Sequence, residues 1–127
     1  MNIVDSSGWL EYFANGPNAT FFSPPLQNTA ELVVPAITLY EVFKAILRQR
    51  HESDALQAVA LMMQGSVVDL TANISILAAK ISLGEKLPMA DSIILATARF
   101  YQATLWTEDA DFKGIAGVQY IPKKPRP

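Results

Sequence analysis

The sequence predicts a three-layer α/β/α sandwich built around a central, mainly parallel β-sheet. Two observations lead to this prediction: short apolar runs recur along the chain, and longer segments with helical capping signals separate them. Strands that alternate with helices pair in parallel, because each helix returns the chain across one face of the sheet. The chain of 127 residues, of which 50% are hydrophobic, suits one compact domain over residues 1–127.

Five apolar runs are predicted as strands, and each gives way to a proline or to a polar residue. These runs cover residues 2–4, 32–34, 67–68, 104–106 and 118–121. After the last of them, residues 122–127 form a basic, proline-rich tail.

Capping and stop residues delimit the helices between these strands. Ser6 or Ser7 is the predicted N-cap of the first helix, which residues 15–17 (NGP) stop. Residues 18–31 are expected to hold only a broken helix, because the prolines of residues 23–25 (SPP) prevent a continuous one. Further helices are predicted over residues 37–50, 53–64, 71–83 and 89–101.

Charge and missing residue types bound the function. The net charge is −2, but the 10 basic residues outnumber the acidic ones once a metal neutralises four of the 12 acids, so the surface could accept phosphates. The absence of cysteine excludes disulfides and thiolate metal sites. No apolar run approaches the ~18 residues of a membrane helix, and the chain starts with a strand pattern in place of an export leader. We therefore expect a cytoplasmic protein without membrane contact.

Four acidic residues, Asp5, Glu41, Asp91 and Asp109, follow predicted strands or lie near helix starts. The carboxyl ends of parallel strands share one edge of a sheet, so these side chains are expected to converge there. Converging carboxylates repel one another unless a cation lies among them, and oxygen ligands of this kind suit Mg²⁺ or Mn²⁺. The residues therefore favour a magnesium-type phosphodiester chemistry as the first hypothesis.

Each acid also has an ordinary structural interpretation. Asp5 could cap a helix, and Glu41 could pair with Lys44 three residues later. Asp91 could be stabilised by the dipole of the helix that it opens, and Asp109 could satisfy the backbone of a turn. Four acids at such junctions of one small sheet are nevertheless hard to explain by chance.

Two further acids lie beside Asp109 in residues 107–112 (TEDADF). Asp111 is predicted to cap the short turn that Phe112 anchors to the core, and Glu108 is predicted to be solvated. Neither is counted among the site residues.

Four segments of the chain together resemble the PIN-domain ribonucleases, and among those the VapC-type toxins of toxin–antitoxin pairs. The segments are residues 3–7 (IVDSS), 35–42 (PAITLYEV), 89–98 (MADSIILATA) and 105–112 (LWTEDADF). No single motif is specific, but the ordered set is fairly specific and covers essentially the whole chain. The resemblance implies a PIN-like fold and RNA cleavage with Mg²⁺ or Mn²⁺. It also implies a homodimer and a cognate antitoxin whose tail crosses the active site.

The resemblance makes the four acids named above the catalytic quartet. Asp5 and Asp91 would hold the metal most directly, and Asp109 and Glu41 would bind a second ion or fix metal-bound waters. Ser6 and Thr107 would be the hydroxyl residues that accompany the first and last acids, and they would hydrogen-bond them.

Two cations lie on the same predicted helix face as Glu41. Lys44 and Arg48 follow it by three and seven residues, and both could steer an RNA backbone towards the metal. An ordinary solvated flank explains them equally simply.

Two other functions fit a parallel sheet with clustered acids. A response-regulator-like receiver domain would need a phosphoacceptor such as Asp69 at the end of a central strand, and a lysine that ends a later strand, which the sequence lacks. A non-catalytic protein-interaction module would keep the fold without the chemistry, although an idle acidic cluster only adds repulsion. Phosphate-loop, HExxH and GxSxG motifs are absent from the sequence.

Overall fold

The computed structural model describes residues 1–126 of the chain. Pro127, the last residue of the predicted tail over residues 122–127, lies outside the described residues. The described part contains the five strands β1 (Asn2–Val4), β2 (Val33–Pro35), β3 (Ser66–Val68), β4 (Thr104–Thr107) and β5 (Val118–Tyr120). All five predicted strands are therefore confirmed, with ends that differ by a residue or so.

Six α-helices connect these strands. They are α1 (Ser6–Phe13), α2 (Ala19–Gln27), α3 (Ala36–Gln49), α4 (Glu52–Met62), α5 (Ala72–Glu85) and α6 (Met89–Phe100). Short 3-10 turns at Thr29–Glu31 and Ala110–Phe112 complete the described elements. None of the helices among residues 1–126 is long and apolar enough to cross a membrane.

Every strand pairing in the described chain is parallel. β4 lies between β1 and β5, and β2 pairs with β3. A parallel bridge between Asn2 and Leu32 joins the two groups, which gives the strand order β3-β2-β1-β4-β5. Because the strands run in one direction, their carboxyl ends share one edge of the sheet.

Two apolar cores, one on each face of the sheet, confirm the three-layer arrangement. Ile3 and Val33 pack into a core with α5 and α6, whereas their neighbours Val4 and Val34 pack into a second core with α1, α2 and α3. Consecutive residues of a strand point to opposite faces, so each strand supplies both cores.

The close approach of α1 to the second core depends on Gly8. A Cβ atom at this position would lie 2.5 Å from Val4 Cγ1 and 2.7 Å from Phe22 Cε1. Only a residue without a side chain lets the first turn of α1 rest against both β1 and α2.

The helical stretch over residues 18–31 is interrupted at Asn28, but the prediction that the prolines break it is wrong. α2 is continuous although Pro24 and Pro25 lie inside it, and each of them lacks the N–H of an intrahelical hydrogen bond. Phe22 and Leu26 of the same helix are buried in the second core, and this burial offsets the missing hydrogen bonds.

Most predicted helix ends differ from the structure by one or two residues, and the differences at α1 and α5 concern the caps. The N-cap of α1 is Asp5 and not Ser6 or Ser7, since the Asp5 carboxylate accepts the N–H of Gly8. α5 begins after Thr71 as predicted, but it continues past Gly84, and its last residue is Glu85. Lys86 is the C-cap, with a left-handed φ of 57°.

Candidate active site

The four predicted acids are brought to the carboxyl edge of the sheet by three helices and one strand. Asp5 follows β1 and caps α1, Glu41 lies in the second turn of α3, and Asp91 is in the first turn of α6. Asp109 follows β4 and caps the turn Ala110–Phe112. Four carboxylates that are far apart in the sequence therefore lie at the same edge of the sheet.

Asp5 is held by three hydrogen-bond donors. Its Oδ1 atom accepts the Ser7 hydroxyl at 2.8 Å and the Gly8 amide at 3.0 Å, and its Oδ2 atom accepts the Thr107 hydroxyl at 2.6 Å. Burial raises the pKa of Asp5 to about 6, although these donors oppose the rise. Asp5 therefore caps α1 and also belongs to the group of acids.

Thr107 connects the first acid to the last. Its hydroxyl donates to Asp5 and accepts the backbone amide of Asp109 at 2.9 Å. The residue is fully buried, so this hydroxyl has no access to solvent and its two contacts define its orientation.

Glu41 is fixed by a hydroxyl on a different helix. Ser6 at the start of α1 donates to Glu41 Oε1 at 2.6 Å. The sequence alternative, an ion pair between Glu41 and Lys44, is not formed, because Lys44 extends over the ring of Tyr40 and donates to its hydroxyl.

Asp91 is half-buried and lies among the negative charges of the other acids. Burial, followed by the negative charges of Asp109, Asp5, Asp111 and Glu41, raises the pKa of Asp91 to about 7. The other three predicted acids therefore all act electrostatically on Asp91, and so does Asp111, which was not predicted to join them. A proton or a cation is needed to hold this many carboxylates together at neutral pH.

The fifth acid, Asp111, forms a candidate cation site with two of the predicted acids. One carboxylate oxygen from each of Asp91, Asp109 and Asp111 lies within 4.8 Å of the others. Such a set of oxygen donors fits a hard divalent cation such as Mg²⁺ or Mn²⁺.

The prediction that Asp111 caps the turn is wrong. Asp109 is the cap, because its Oδ1 atom accepts the amide of Asp111 at 2.9 Å, and the Asp111 carboxylate remains free to approach Asp91. No local signal could have identified this role, because Asp111 lies in the 3-10 turn Ala110–Phe112, where the two-residue alternation of a strand does not apply.

The prediction that Glu108 is solvated is also wrong. Glu108 is buried and accepts a hydrogen bond from the Asn18 side chain. Burial raises the pKa of Glu108, and the Asn18 donor opposes that rise. Glu108 thus faces a different environment from its neighbours Thr107 and Asp109.

The predicted cations lie outside this group of acids. Lys44 and Arg48 are exposed on α3, as the prediction of a steering or solvated flank requires. Arg126 of the tail is engaged elsewhere, with its guanidinium 2.9 Å from Glu11 Oε1.

The receiver-domain alternative does not fit the sheet. Asp69, its only candidate phosphoacceptor, follows β3, which pairs with β2 alone and is therefore an edge strand. Asp69 is exposed, and it is not among the acids that act on Asp91.

Solved structures of similar fold are numerous. The chain is similar to a chain of a toxin–antitoxin complex from Klebsiella pneumoniae, with 22% identity and a TM-score of 0.77 over 94% of this chain and 96% of that chain. It is similar to the Mycobacterium tuberculosis toxin VapC20, which cleaves the sarcin–ricin loop, with 16% identity and a TM-score of 0.74 over 100% of both chains. DNA-bound VapBC from Salmonella typhimurium gives 18% identity and a TM-score of 0.72 over 96% and 98% of the two chains.

The likeness to these structures, at such low identity, shows the fold. No curated protein matches the sequence. The family model of the PIN domain, however, matches residues 3–118, which is nearly the whole chain and includes every acid described above. The chain belongs to the PIN-domain family.

Proposed function

We propose that this protein is a metal-dependent endoribonuclease, and that it is the toxin of a type II toxin–antitoxin pair. One observation supports the nuclease most strongly: four other carboxylates raise the pKa of Asp91 at the carboxyl edge of a PIN-domain sheet, and two of them lie beside it. Without a cation, the repulsion between these carboxylates destabilises the protein. A bound Mg²⁺ or Mn²⁺ would neutralise their charge.

The contacts of each acid suggest whether it would bind the cation or orient the attacking water. Asp91, Asp109 and Asp111 would hold the cation, because their oxygens already lie within 4.8 Å of one another. Asp5 would complete the set through its remaining lone pairs, since three donors fix its orientation. Glu41, whose Oε1 atom is occupied by Ser6, would use Oε2 to orient the attacking water.

Hydrolysis of the phosphodiester needs a positioned water and neutralisation of charge. A divalent cation would lower the pKa of the attacking water and offset the negative charge that develops on the phosphate. Ser6 and Thr107 would keep the carboxylates in place, because each donates a 2.6 Å hydrogen bond to one acid. Lys44 and Arg48, exposed on the helix that carries Glu41, would attract the RNA backbone.

Protein partners are also part of the proposal. The solved structures of similar fold include toxin–antitoxin complexes, which favours a cognate antitoxin for this chain. A homodimer is supported by exposed apolar side chains on α5 and at the start of α6, since Ile76, Leu83 and Met89 are 61%, 85% and 72% exposed. The proposed toxin–antitoxin pair would act in the cytoplasm. Growth arrest on overproduction, relieved by a small protein encoded beside this one, would identify the toxin.

Substitution of the acids tests the nuclease. Asp5→Asn and Asp91→Asn should each lower Mn²⁺-dependent cleavage of total RNA by more than about 100-fold while leaving the circular dichroism spectrum unchanged. Asp69→Asn is the matched control, because Asp69 is an exposed acid that follows a strand at the same edge. Wild-type activity in Asp91→Asn, or full activity in EDTA, would refute the proposal and favour a non-catalytic interaction module.

A further inference from the structure

A second group of buried polar side chains takes no part in the proposed chemistry. Glu11 on α1 and Asn18, just before α2, are 3% and 1% exposed, and Glu108 is 4% exposed. Buried carboxylates are uncommon because their desolvation is costly. Their hydrogen-bond partners should therefore show what they do.

Glu11 is fully satisfied by the chain around it. Its Oε2 atom accepts the backbone N–H of Asn18 at 2.8 Å, and its Oε1 atom accepts the guanidinium of Arg126 at 2.9 Å. Gly16 leaves the space for this carboxylate, because a Cβ atom there would overlap it. The end of the described tail is thereby held against the turn between α1 and α2.

Asn18 connects that turn to two other segments. Its side-chain Nδ2 atom donates to Glu108 Oε1 at 3.2 Å and to the carbonyl of Pro122 at 3.0 Å. Both neighbours are acceptors, so the amide must present its NH₂ group to them. Its Oδ1 atom consequently has no hydrogen-bond partner within residues 1–126.

Glu108 brings this group next to the candidate active site. It lies between Thr107, which donates to Asp5, and Asp109, which caps the following turn. The backbone is extended at Asp109, where φ is −81° and ψ is 121°. Neighbouring side chains of an extended segment point to opposite sides. The hydrogen bond from Asn18 to Glu108 therefore limits backbone rotation at Thr107 and Asp109.

We propose that Asn18 is a positioning residue for this site: through Glu108 and the carbonyl of Pro122, it fixes the segment that presents Asp109 and Asp111. The identity of the bound cation rests on the proposed function, whereas the positioning rests on the hydrogen bonds of Asn18. Asn18 itself touches neither the cation nor RNA.

Mn²⁺ binding in the absence of RNA is the first measurement. Asn18→Ala and Glu108→Ala each remove the hydrogen bond between these residues, and each should raise the Kd for Mn²⁺ by calorimetry about tenfold. Glu108→Gln keeps an oxygen acceptor for Asn18 and should change the Kd by less than about twofold. The double variant should bind no more weakly than Asn18→Ala, because the hydrogen bond that Glu108→Ala removes is already absent from Asn18→Ala.

Hydrogen exchange is the second measurement, and it requires no metal. The amides of Asp111 and Phe112, which donate to the side chain and backbone of Asp109, should exchange about tenfold faster in Asn18→Ala. Asn73→Ala is the matched control, because Asn73 is an exposed asparagine on α5. It should leave both the Kd for Mn²⁺ and the exchange rates unchanged.

The possible outcomes separate this inference from the proposed function. Wild-type Mn²⁺ affinity and wild-type exchange in Asn18→Ala would overturn the positioning role while the nuclease stood. A wild-type protein that cleaves no RNA would overturn the nuclease, whereas faster exchange in Asn18→Ala alone would still support the positioning role. If Asn18→Ala does not fold, the Glu108 pair decides, since equal Mn²⁺ affinities for its alanine and glutamine variants would overturn the inference.

Discussion

The protein places carboxylates in two neighbouring environments that treat them in opposite ways. Around Glu11, an arginine and a backbone amide satisfy the charge. Around Asp91, burial and four other acids raise the pKa to about 7, and no donor within residues 1–126 opposes this rise. The first environment is complete as it stands, whereas the second has an excess of acceptors that only a cation would balance. Burial of an acid alone therefore does not mark a site, but unbalanced burial does.

The arrangement of the second environment is tested most sharply at Thr107. Thr107→Val removes the hydroxyl that joins Asp5 to the Asp109 amide, so RNA cleavage should fall about 10- to 100-fold. Thr107→Ser keeps the hydroxyl and is expected to retain most activity. Initial cleavage rates at saturating Mn²⁺ compare the two, and equal rates for the valine and serine variants would contradict a role for this hydroxyl.

The free energy of unfolding should respond with opposite sign to neutralising an acid in each environment. Glu11→Gln weakens a charge-assisted hydrogen bond in a buried position, and should destabilise the protein by about 1–2 kcal/mol. Asp91→Asn removes a repelling charge, and should stabilise the metal-free protein at pH 7.5. Urea denaturation in EDTA measures both. A loss of stability in Asp91→Asn would show that the acids are not in excess.

The smallest expected effect is the pH dependence of thermal stability. Asp5 and Asp91 have folded-state pKa values of about 6 and about 7, above the ordinary value of 3.8, so the folded protein binds more protons than the unfolded chain in between. Stability of the metal-free protein should therefore fall as the pH rises from about 4 to about 7, with a Tm change of about 5 °C.

Saturating Mn²⁺ should remove this decline, because the cation favours the ionised carboxylates. Asp91→Asn should reduce it. Calorimetric scans of wild-type and variant protein across this pH range make the comparison. A wild-type Tm that rises between pH 5 and pH 7 in EDTA would contradict the raised pKa values.

Much of the fold could be predicted because local patterns and the sheet agree. Apolar runs of two to four residues followed by capping residues are sufficient to predict strands and helix starts, and the parallel order then brings Asp5, Asp91 and Asp109 to one edge. The prediction failed at α2, where burial of Phe22 and Leu26 outweighs the local effect of two prolines.

The finer assignments after β4 could not be made from sequence, for a physical reason. Glu108, Asp109 and Asp111 are alike in charge, and their roles differ only by the side of the backbone from which each projects. That side is set by contacts with distant residues, such as Asn18, which is 90 positions from Glu108, and Asp5, which is 102 positions from Thr107. No local pattern contains these partners.

The absent side chain at Gly8 has a consequence for how this protein can vary. The Gly8 amide holds Asp5 Oδ1, and the space above it is filled by Val4 and Phe22. An alanine there would press the helix outwards and carry the amide away from the carboxylate it supports. Gly8 takes no part in the chemistry, yet even the small change to alanine would disturb the orientation of Asp5. The position therefore tolerates fewer substitutions than its lack of a side chain suggests.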